Sequence, residues 1–205
     1  MSTQAMEQEI LLIRHGKPAS ATNDMMGARD FARWVKRYNH SPLDPASYPR
    51  KHYDLSTHYV VSSGLKRAQL SAKVYGITRI DAHNPLLNEM DIPYYRLGIT
   101  LRAWHWVVLN RALWMAGWRG NFESFREAKH RAKTAALWLE ETVESKQKVA
   151  VFGHGMSNRY IRMALEKRGW LVREKDNAYW GVNRLTRQAG LPINNNANNA
   201  NITQL

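Results

Sequence analysis

The run Ile10-Leu11-Leu12-Ile13, which leads directly into Arg14-His15-Gly16, is the feature that most constrains the fold. Four consecutive apolar residues are typical of a short strand that is buried on both faces of a parallel sheet. Open α/β sheets build their ligand sites at the carboxyl ends of such strands. The sequence therefore predicts that Arg14 and His15 lie at the functional edge of a mostly parallel sheet.

The second strand candidate ends in a pair of serines. His58-Tyr59-Val60-Val61 is followed by Ser62-Ser63-Gly64 and then by a helical pattern that ends at Gly76. Either serine is a candidate cap for that helix. Arg67 falls in the first turn, where a cation is unfavourable for the helix dipole, so a bound anion is the better explanation of this residue.

The third strand candidate, Lys148-Val149-Ala150-Val151-Phe152, ends at Gly153-His154-Gly155, and a helix is expected to follow it. In a parallel sheet with right-handed crossovers, the ends of the three strands lie on one edge. We therefore expect His15, Arg67 and His154 to converge. Three further helices are expected at residues 30–38, at residues 100–115 and after a cap at Asn121, and two shorter strands at residues 77–80 and 180–185.

A phosphoryl group is the ligand that this convergence favours. Arginine offers forked donors that match phosphoryl oxygens, and helix amino ends attract anions. One neutral imidazole can attack phosphorus, and a second, if protonated, can stabilise the charge of the transition state. The glycines beside each histidine allow the backbone to approach the anion. The leaving oxygen also needs a proton, for which a carboxyl with a raised pKa is suited; Glu89 and Asp91 are the candidates, and Glu89 is favoured by its placement.

Composition limits the remaining possibilities. A chain of 205 residues predicts one domain, residues 1–190, followed by an Asn-rich tail at 191–205 that is expected to be disordered. The absence of cysteine excludes disulfides and thiolate metal sites, and the other histidines lack metal-ligand spacing. The net charge of +13 favours anionic partners, but the cations are scattered, so nucleic acid is not the favoured partner. The sequence shows neither a signal peptide nor a transmembrane segment, which predicts a cytoplasmic location.

A stretch rich in tryptophan and arginine lies between the second and third strand candidates. We expect a helical cap over the sheet edge, at about residues 93–147, that shapes the substrate pocket. A plain core helix with one solvated face is a nearly equal alternative, and a membrane-surface or base-stacking element is a third. The residues in question are Arg102, Trp104, Trp106, Arg111, Trp114, Trp118 and Arg119.

Three motifs in order, Arg14-His15-Gly16, Ser62-Ser63-x-x-x-Arg67-Ala68 and Gly153-His154-Gly155, resemble the histidine phosphatase superfamily, the phosphoglycerate-mutase-like proteins. The resemblance implies a three-layer α/β/α sandwich with a mostly parallel central sheet, a covalent phosphohistidine, and no metal or other cofactor. It implies that His15 is the nucleophile and that Glu89 is the proton donor. It also implies that Arg14, Arg67 and His154 form the phosphate pocket.

The chain departs from the family pattern after the first motif. Many members carry an asparagine six residues beyond the nucleophile, whereas Ala21 stands there in this chain and Asn23 is the candidate replacement. The expected activity is hydrolysis of a small phosphorylated substrate. A phosphoglycerate-type mutase, a phosphohistidine protein phosphatase and a non-catalytic binder of anions or nucleic acid stay open as alternatives, as does the oligomeric state.

Overall fold

The computed structural model of the chain describes residues 7–189, so the tail at 191–205 lies outside the described residues. In chain order the strands are β1 (Glu7–Arg14), β2 (Met25–Gly27), β3 (Tyr59–Ser62), β4 (Ala82–His83), β5 (Thr100–Arg102), β6 (Lys148–Gly153), β7 (Leu171–Lys175) and β8 (Val182–Gln188). The helices are α1 (Ala28–His40), α2 (Lys66–Val74), α3 (Ala103–Met115), α4 (Phe125–Lys146) and α5 (Gly155–Glu166), and a 3₁₀ turn spans Pro85–Leu87. Within residues 7–189, no helix is long and apolar enough to cross a membrane.

Six strands form the central sheet, in the order β4-β3-β6-β1-β8-β7. The four strands β4, β3, β6 and β1 run parallel, while β8 pairs antiparallel with β1 and β7 pairs antiparallel with β8. The four apolar residues of β1, Ile10 to Ile13, have no exposed surface. The prediction of a mostly parallel sheet around this strand is therefore confirmed.

The register of the sheet brings the polar strand ends to one edge. Arg14 pairs with Gly153 across β1 and β6, and Ser62 pairs with Phe152 across β3 and β6. The backbone N–H of His15 then donates to the carbonyl of Gly153 at 3.0 Å. The residues that follow β1, β3 and β6 therefore emerge side by side.

Helices cover both faces of the sheet, which confirms the three-layer α/β/α architecture. On one face, Ala68 and Ala72 of α2 pack against Leu11 and Ile13 of β1 and their neighbours. On the other face, the apolar sides of α4 and α5 pack against the alternate residues of the same strands, such as Ile10 and Leu12. Alternating side chains of one strand thus serve two separate core layers.

A third apolar cluster lies apart from the sheet and forms the cap. It joins α1 and α3 through Phe31, Trp34 and Trp106, whose rings stack with centroids 5.6–5.8 Å apart. The helix α4 was included in the expected cap at about residues 93–147, but it packs on the sheet. We propose that the cap consists instead of α1, β2, β5 and α3.

Several local expectations were wrong. The strand expected at residues 77–80 lies at Ala82–His83, and residues 100–102, expected to begin a helix, pair with β2. The cap of α4 is Ser124, whose side chain accepts from the N–H of Glu127 in a capping box, and not Asn121. The residue at the cap position of α2 is Leu65, so neither serine fills that position. Gly76, with φ +95°, does end α2 as predicted.

Candidate active site

The two ring nitrogens of His15 have different partners: one binds a backbone carbonyl and the other faces an arginine. Its Nδ1 lies 2.7 Å from the carbonyl oxygen of Gly16, which can only accept, so Nδ1 carries the proton. The lone pair of the neutral ring is therefore on Nε2, which lies 3.2 Å from Nε of Arg67. Burial, with the nearby His154 and Arg67, holds the pKa of His15 well below its usual value of 6.5. The ring is therefore neutral and nucleophilic at neutral pH.

The structure brings His154 to His15, with ring centroids 5.1 Å apart in an edge-on arrangement. His154 is completely buried, and its backbone lies at the start of α5. Burial and the charges of Arg67 and Arg14 hold its pKa well below the usual value. The ring of His154 is therefore neutral near neutral pH.

Ser63 fixes which nitrogen of His154 carries the proton. Ser63 Oγ lies 2.7 Å from Nε2 of His154 and accepts from the N–H of Leu65 at 3.2 Å. Within the described chain the hydroxyl proton of Ser63 has Nε2 as its acceptor, so a neutral His154 carries its proton on Nδ1. That atom is buried and has no hydrogen-bond partner among residues 7–189. A neutral His154 can thus still donate one hydrogen bond.

Arg14 and Arg67 lie beside the two histidines. The guanidinium of Arg67 is buried and reaches Asn39 as well as His15, with Nη1 3.3 Å from the carbonyl oxygen of Asn39. Arg14 donates from Nη1 to the carbonyl of Asn177 at 2.7 Å. Its Nε is buried and, within residues 7–189, unpaired. Two imidazoles and two guanidiniums therefore lie close together at one edge of the sheet.

Two tyrosines that sequence reasoning missed pack beside these histidines and arginines. Tyr179, in the loop between β7 and β8, packs its ring 4.1 Å from the guanidinium carbon of Arg14 and 5.8 Å from the ring centroid of His15. Its hydroxyl lies 3.1 Å from that of Tyr38 in α1. Burial and the adjacent Tyr38 raise the pKa of Tyr179, so its hydroxyl stays protonated. No motif marked this loop.

The two candidate carboxylates lie in different places. Glu89 Oε1 accepts from the backbone N–H of Ser157 at 3.0 Å and from its hydroxyl at 3.2 Å, at the amino end of α5. Asp91 is exposed, and its carboxylate accepts from the backbone N–H of Glu123 at 3.1 Å, just before the start of α4. Glu89 thus lies among the charges of Arg67 and Arg14, whereas Asp91 lies at the surface. The structure also shows that the amino end of α5, expected to face the anion, binds Glu89 instead.

The charge state of Glu89 differs from the expectation. Burial raises its pKa, but the charges of Arg111 and Arg67 and the hydrogen bond from Ser157 outweigh this, so the pKa lies below its usual value. The carboxyl is therefore ionised in the unliganded protein. Arg111 belongs to α3 of the cap, and its Nη1 is buried without a partner in the part of the chain that the structure describes. Sequence reasoning placed Arg111 only in the tryptophan- and arginine-rich stretch.

The glycines of the two histidine motifs make room for neighbouring side chains. From the sequence, we expect only that they let the backbone approach an anion. A Cβ at Gly16 would lie 2.5 Å from the ring of Trp180, and one at Gly153 would lie 2.4 Å from Oδ1 of Asn158. A Cβ at Gly155 would lie 3.0 Å from Nε of Arg14. These glycines therefore allow neighbouring side chains to pack against the motif backbones.

Asn23, the candidate replacement for the family asparagine, does not reach the histidines. Its Oδ1 accepts from the backbone N–H of Trp104 at 3.1 Å, in the first turn of α3. It therefore fixes the cap helix. Among residues 7–189, no group of three or more His, Asp or Glu side chains is arranged to hold a metal ion.

A family model described as histidine phosphatase superfamily (branch 1) matches residues 48–198. The match covers more than half of the chain, so the protein belongs to the histidine phosphatase superfamily. The matched range includes Arg67, Glu89 and His154. Arg14 and His15 precede it, and their relation to the site comes from the geometry above. A comparison with curated proteins found no significant match.

Solved structures of similar fold share little sequence with the chain. An open reading frame product from Mycobacterium tuberculosis has 20% identity, with a TM-score of 0.49, over 75% of this chain and 77% of its own. A mycobacterial glucosyl-3-phosphoglycerate phosphatase has 18% identity and a TM-score of 0.44 over 78% and 79% of the two chains. A putative α-ribazole-5'-P phosphatase from Escherichia coli has 18% identity and a TM-score of 0.45 over 79% and 80%.

Proposed function

We propose that the protein is a phosphomonoester hydrolase that forms a phosphohistidine on His15. The observation that carries this proposal is the orientation of His15. Its Nδ1–H is bound to the carbonyl of Gly16, and its Nε2 lone pair faces the guanidinium of Arg67. A bound phosphoryl group held by that guanidinium would present its phosphorus to Nε2. The membership of the histidine phosphatase superfamily supports the same chemistry.

The first step transfers the phosphoryl group to the protein. The Nε2 lone pair of His15 forms a bond to phosphorus while the bond from phosphorus to the ester oxygen breaks. The ring becomes cationic, and the Gly16 carbonyl, already bound to Nδ1–H, stabilises that charge. Arg14, Arg67 and the Nδ1–H of His154 supply donors for the equatorial oxygens.

Glu89 protonates the leaving oxygen in that step. It is ionised in the unliganded protein because Arg111 and Arg67 lower its pKa. A bound phosphoryl group brings about −1.5 to −2 charges into the same space, which offsets the arginines and raises the pKa of the carboxyl. Substrate binding thus loads Glu89 with the proton that the ester oxygen then takes.

The second step returns the protein to its starting state. Glu89, now ionised, accepts a proton from a water molecule whose oxygen attacks phosphorus. The bond between phosphorus and Nε2 breaks, and inorganic phosphate forms. The Nε2 lone pair of His15 is restored, and Glu89 releases its proton to solvent once the phosphate leaves, so that the carboxyl is ionised again before the next substrate binds.

The proposed substrate is a small phosphorylated compound. Hydrolysis of p-nitrophenyl phosphate in the presence of EDTA tests the proposal, with acid quenching and alkaline quenching to trap labelled phosphoprotein. We expect turnover and an acid-labile, alkali-stable phosphohistidine in the wild type and neither in His15→Ala. The exposed His105 of α3 offers a matched control, because His105→Ala should retain both. Turnover that persists in His15→Ala, or that requires an added divalent metal, would overturn the proposed mechanism.

A further inference from the structure

The outward face of α3 is largely apolar, with His105 as its one exposed polar residue, although the helix lies at the surface. Its inner face, which includes Ala103, Trp106 and Trp114, is buried. The opposite face exposes Val108 at 68% and Met115 at 45%, with the exposed Ala112 between them. A surface helix of a globular protein normally places polar residues there. The apolar outer face of α3 is therefore unexplained by the packing of residues 7–189.

This exposed apolar surface extends beyond the helix. Six of the eleven large apolar side chains that are exposed within residues 7–189 belong to the cap or to the segments directly beside α3. We call this set the apolar face of the cap; its members are Met25, Tyr94, Ile99, Val108, Met115 and Trp118. Exposed apolar residues concentrated in one part of a structure indicate an interaction surface, whereas singly scattered ones do not.

The charge around the apolar face is mostly positive, although Asp24, beside Met25, and Asp91 are exposed as well. Residues 92–122 contain four arginines and no aspartate or glutamate. A groove of about 660 Å³ adjoins the end of α3, where Met115 and Trp118 line it together with the cations Arg119, Arg126 and Lys129. Its one acidic residue, Glu127, is engaged in the capping box of α4. The groove is thus suited to anionic groups beside an apolar surface.

We propose that the apolar face of the cap docks on an anionic lipid bilayer. Aliphatic and tryptophan side chains can enter the boundary between headgroups and acyl chains, while Arg119, Arg126 and Lys129 bind lipid phosphates. The net charge of +13 adds attraction to an anionic surface. A second copy of this chain would place two arginine-rich surfaces against each other, so charge complementarity favours lipid as the partner.

Co-sedimentation with unilamellar vesicles tests this inference independently of the phosphatase proposal. We expect binding to vesicles of equal parts phosphatidylglycerol and phosphatidylcholine, and little binding to phosphatidylcholine alone. The variant with Val108→Ser, Met115→Ser and Trp118→Ser should bind the anionic vesicles about tenfold more weakly or worse. The variant with Val74→Ser and Leu171→Ser, which removes exposed apolar residues elsewhere, should bind as the wild type does. Circular dichroism checks that each variant folds, and Val108→Asp provides a second test at the most exposed position.

Charge variants distinguish the contribution of the groove cations to vesicle binding from the contribution of the net positive charge. Replacing Arg119, Arg126 and Lys129 by glutamine should weaken vesicle binding by about tenfold, because these cations face the groove. The exposed cations Arg50, Lys73 and Arg79 serve as the matched set, whose replacement should have a much smaller effect. Equal effects of the two sets, or no binding to anionic vesicles, would overturn the inference. So would a dimer in lipid-free solution that the apolar-face variant converts to monomer.

Discussion

Ser63 Oγ lies 2.7 Å from Nε2 of His154, deep in the core at the junction of β3 and β6. This contact sets the proton of a neutral His154 on Nδ1, the nitrogen that we propose binds the phosphoryl group. A side chain that does not itself touch substrate thus determines whether a histidine can act as a donor. In the proposed mechanism, the two serines at the end of β3 have different roles, since Ser62 Oγ donates to the carbonyl of Ser63.

Replacement of Ser63 by alanine should therefore lower kcat by about tenfold, the effect of losing one buried hydrogen bond of about 1.4 kcal/mol. KM should change less, because both arginines are retained. Ser62→Ala, which does not touch His154, is the matched control and should leave kcat near the wild-type value. Rescue of kcat by Ser63→Thr, measured with p-nitrophenyl phosphate, would support the hydroxyl as the cause. Equal losses in the two alanine variants would contradict it.

Glu89→Gln should reduce turnover of alkyl phosphates by about 10²–10⁴, because the alkoxide then leaves without a proton. With p-nitrophenyl phosphate, the rate of the first step should fall much less, because its leaving anion is stable without protonation. The burst of p-nitrophenol that accompanies phosphoprotein formation measures that step separately. Asp91→Asn is the control, because Asp91 is exposed and bound to the backbone of Glu123. A larger loss in Asp91→Asn than in Glu89→Gln would reverse the assignment of the acid.

Arg111→Gln should move the pH profile of kcat/KM. Arg111 is the first of the charges that hold the pKa of Glu89 below its usual value, so its removal raises that pKa in the free protein. Because the proposed mechanism needs protonated Glu89, the basic limb of the profile should shift to higher pH. Arg102→Gln, at the exposed start of the same helix, should not shift it. An unchanged basic limb in Arg111→Gln would show that Glu89 does not determine that limb.

The parts of the site that sequence could predict are those encoded by short continuous patterns. β1 and β6 are apolar runs that end at His15 and His154, so their placement follows from the rules for parallel sheets. The capping box Ser124-x-x-Glu127 is also readable in the sequence, and it marks the start of α4 three residues after Asn121.

Other parts carry no local signal. β7 alternates between exposed and half-buried residues at the sheet edge, and β2 and β5 have three residues each, too few for a periodic pattern. Tyr179 and Arg111 reach the site only through the tertiary packing of a loop and of the cap. The charge state of Glu89 could not be predicted either, because it depends on which arginines surround the carboxyl and not on its neighbours in sequence.

Gly16→Ala should destabilise the fold, because its Cβ would lie 2.5 Å from the ring of the buried Trp180. That ring is held by a hydrogen bond of 2.9 Å from Nε1 to Ser47 Oγ and cannot move freely. Overpacking of this kind costs about 1–3 kcal/mol. Gly98→Ala is the matched control, because no atom would lie within 4 Å of its Cβ. Urea unfolding should give a lower midpoint for Gly16→Ala only, and equal midpoints would contradict the packing argument.

Glu9 links the stability of β1 to pH. Its Oε2 lies 3.0 Å from Nε2 of His58, and its other carboxylate oxygen accepts from Arg184. The hydrogen bond from His58, together with Arg184, outweighs burial and lowers the pKa of Glu9 to about 2 from 4.5. A carboxyl whose pKa is lowered in the folded state stabilises the fold at pH values above its unfolded-state pKa. This stabilisation is lost as the pH falls from about 4.5 to about 2.

Glu9→Gln should therefore lower the free energy of unfolding by roughly 2–3 kcal/mol near neutral pH. The difference from the wild type should shrink as the pH falls below about 4.5, because the wild-type carboxyl becomes protonated. Urea unfolding at a series of pH values measures this convergence. Glu7→Gln is the control, because the Glu7 side chain is 55% exposed and lies 3.8 Å from Arg173. A Glu9→Gln deficit that stayed constant down to the lowest pH would show that lost packing, and not lost charge, is the cause.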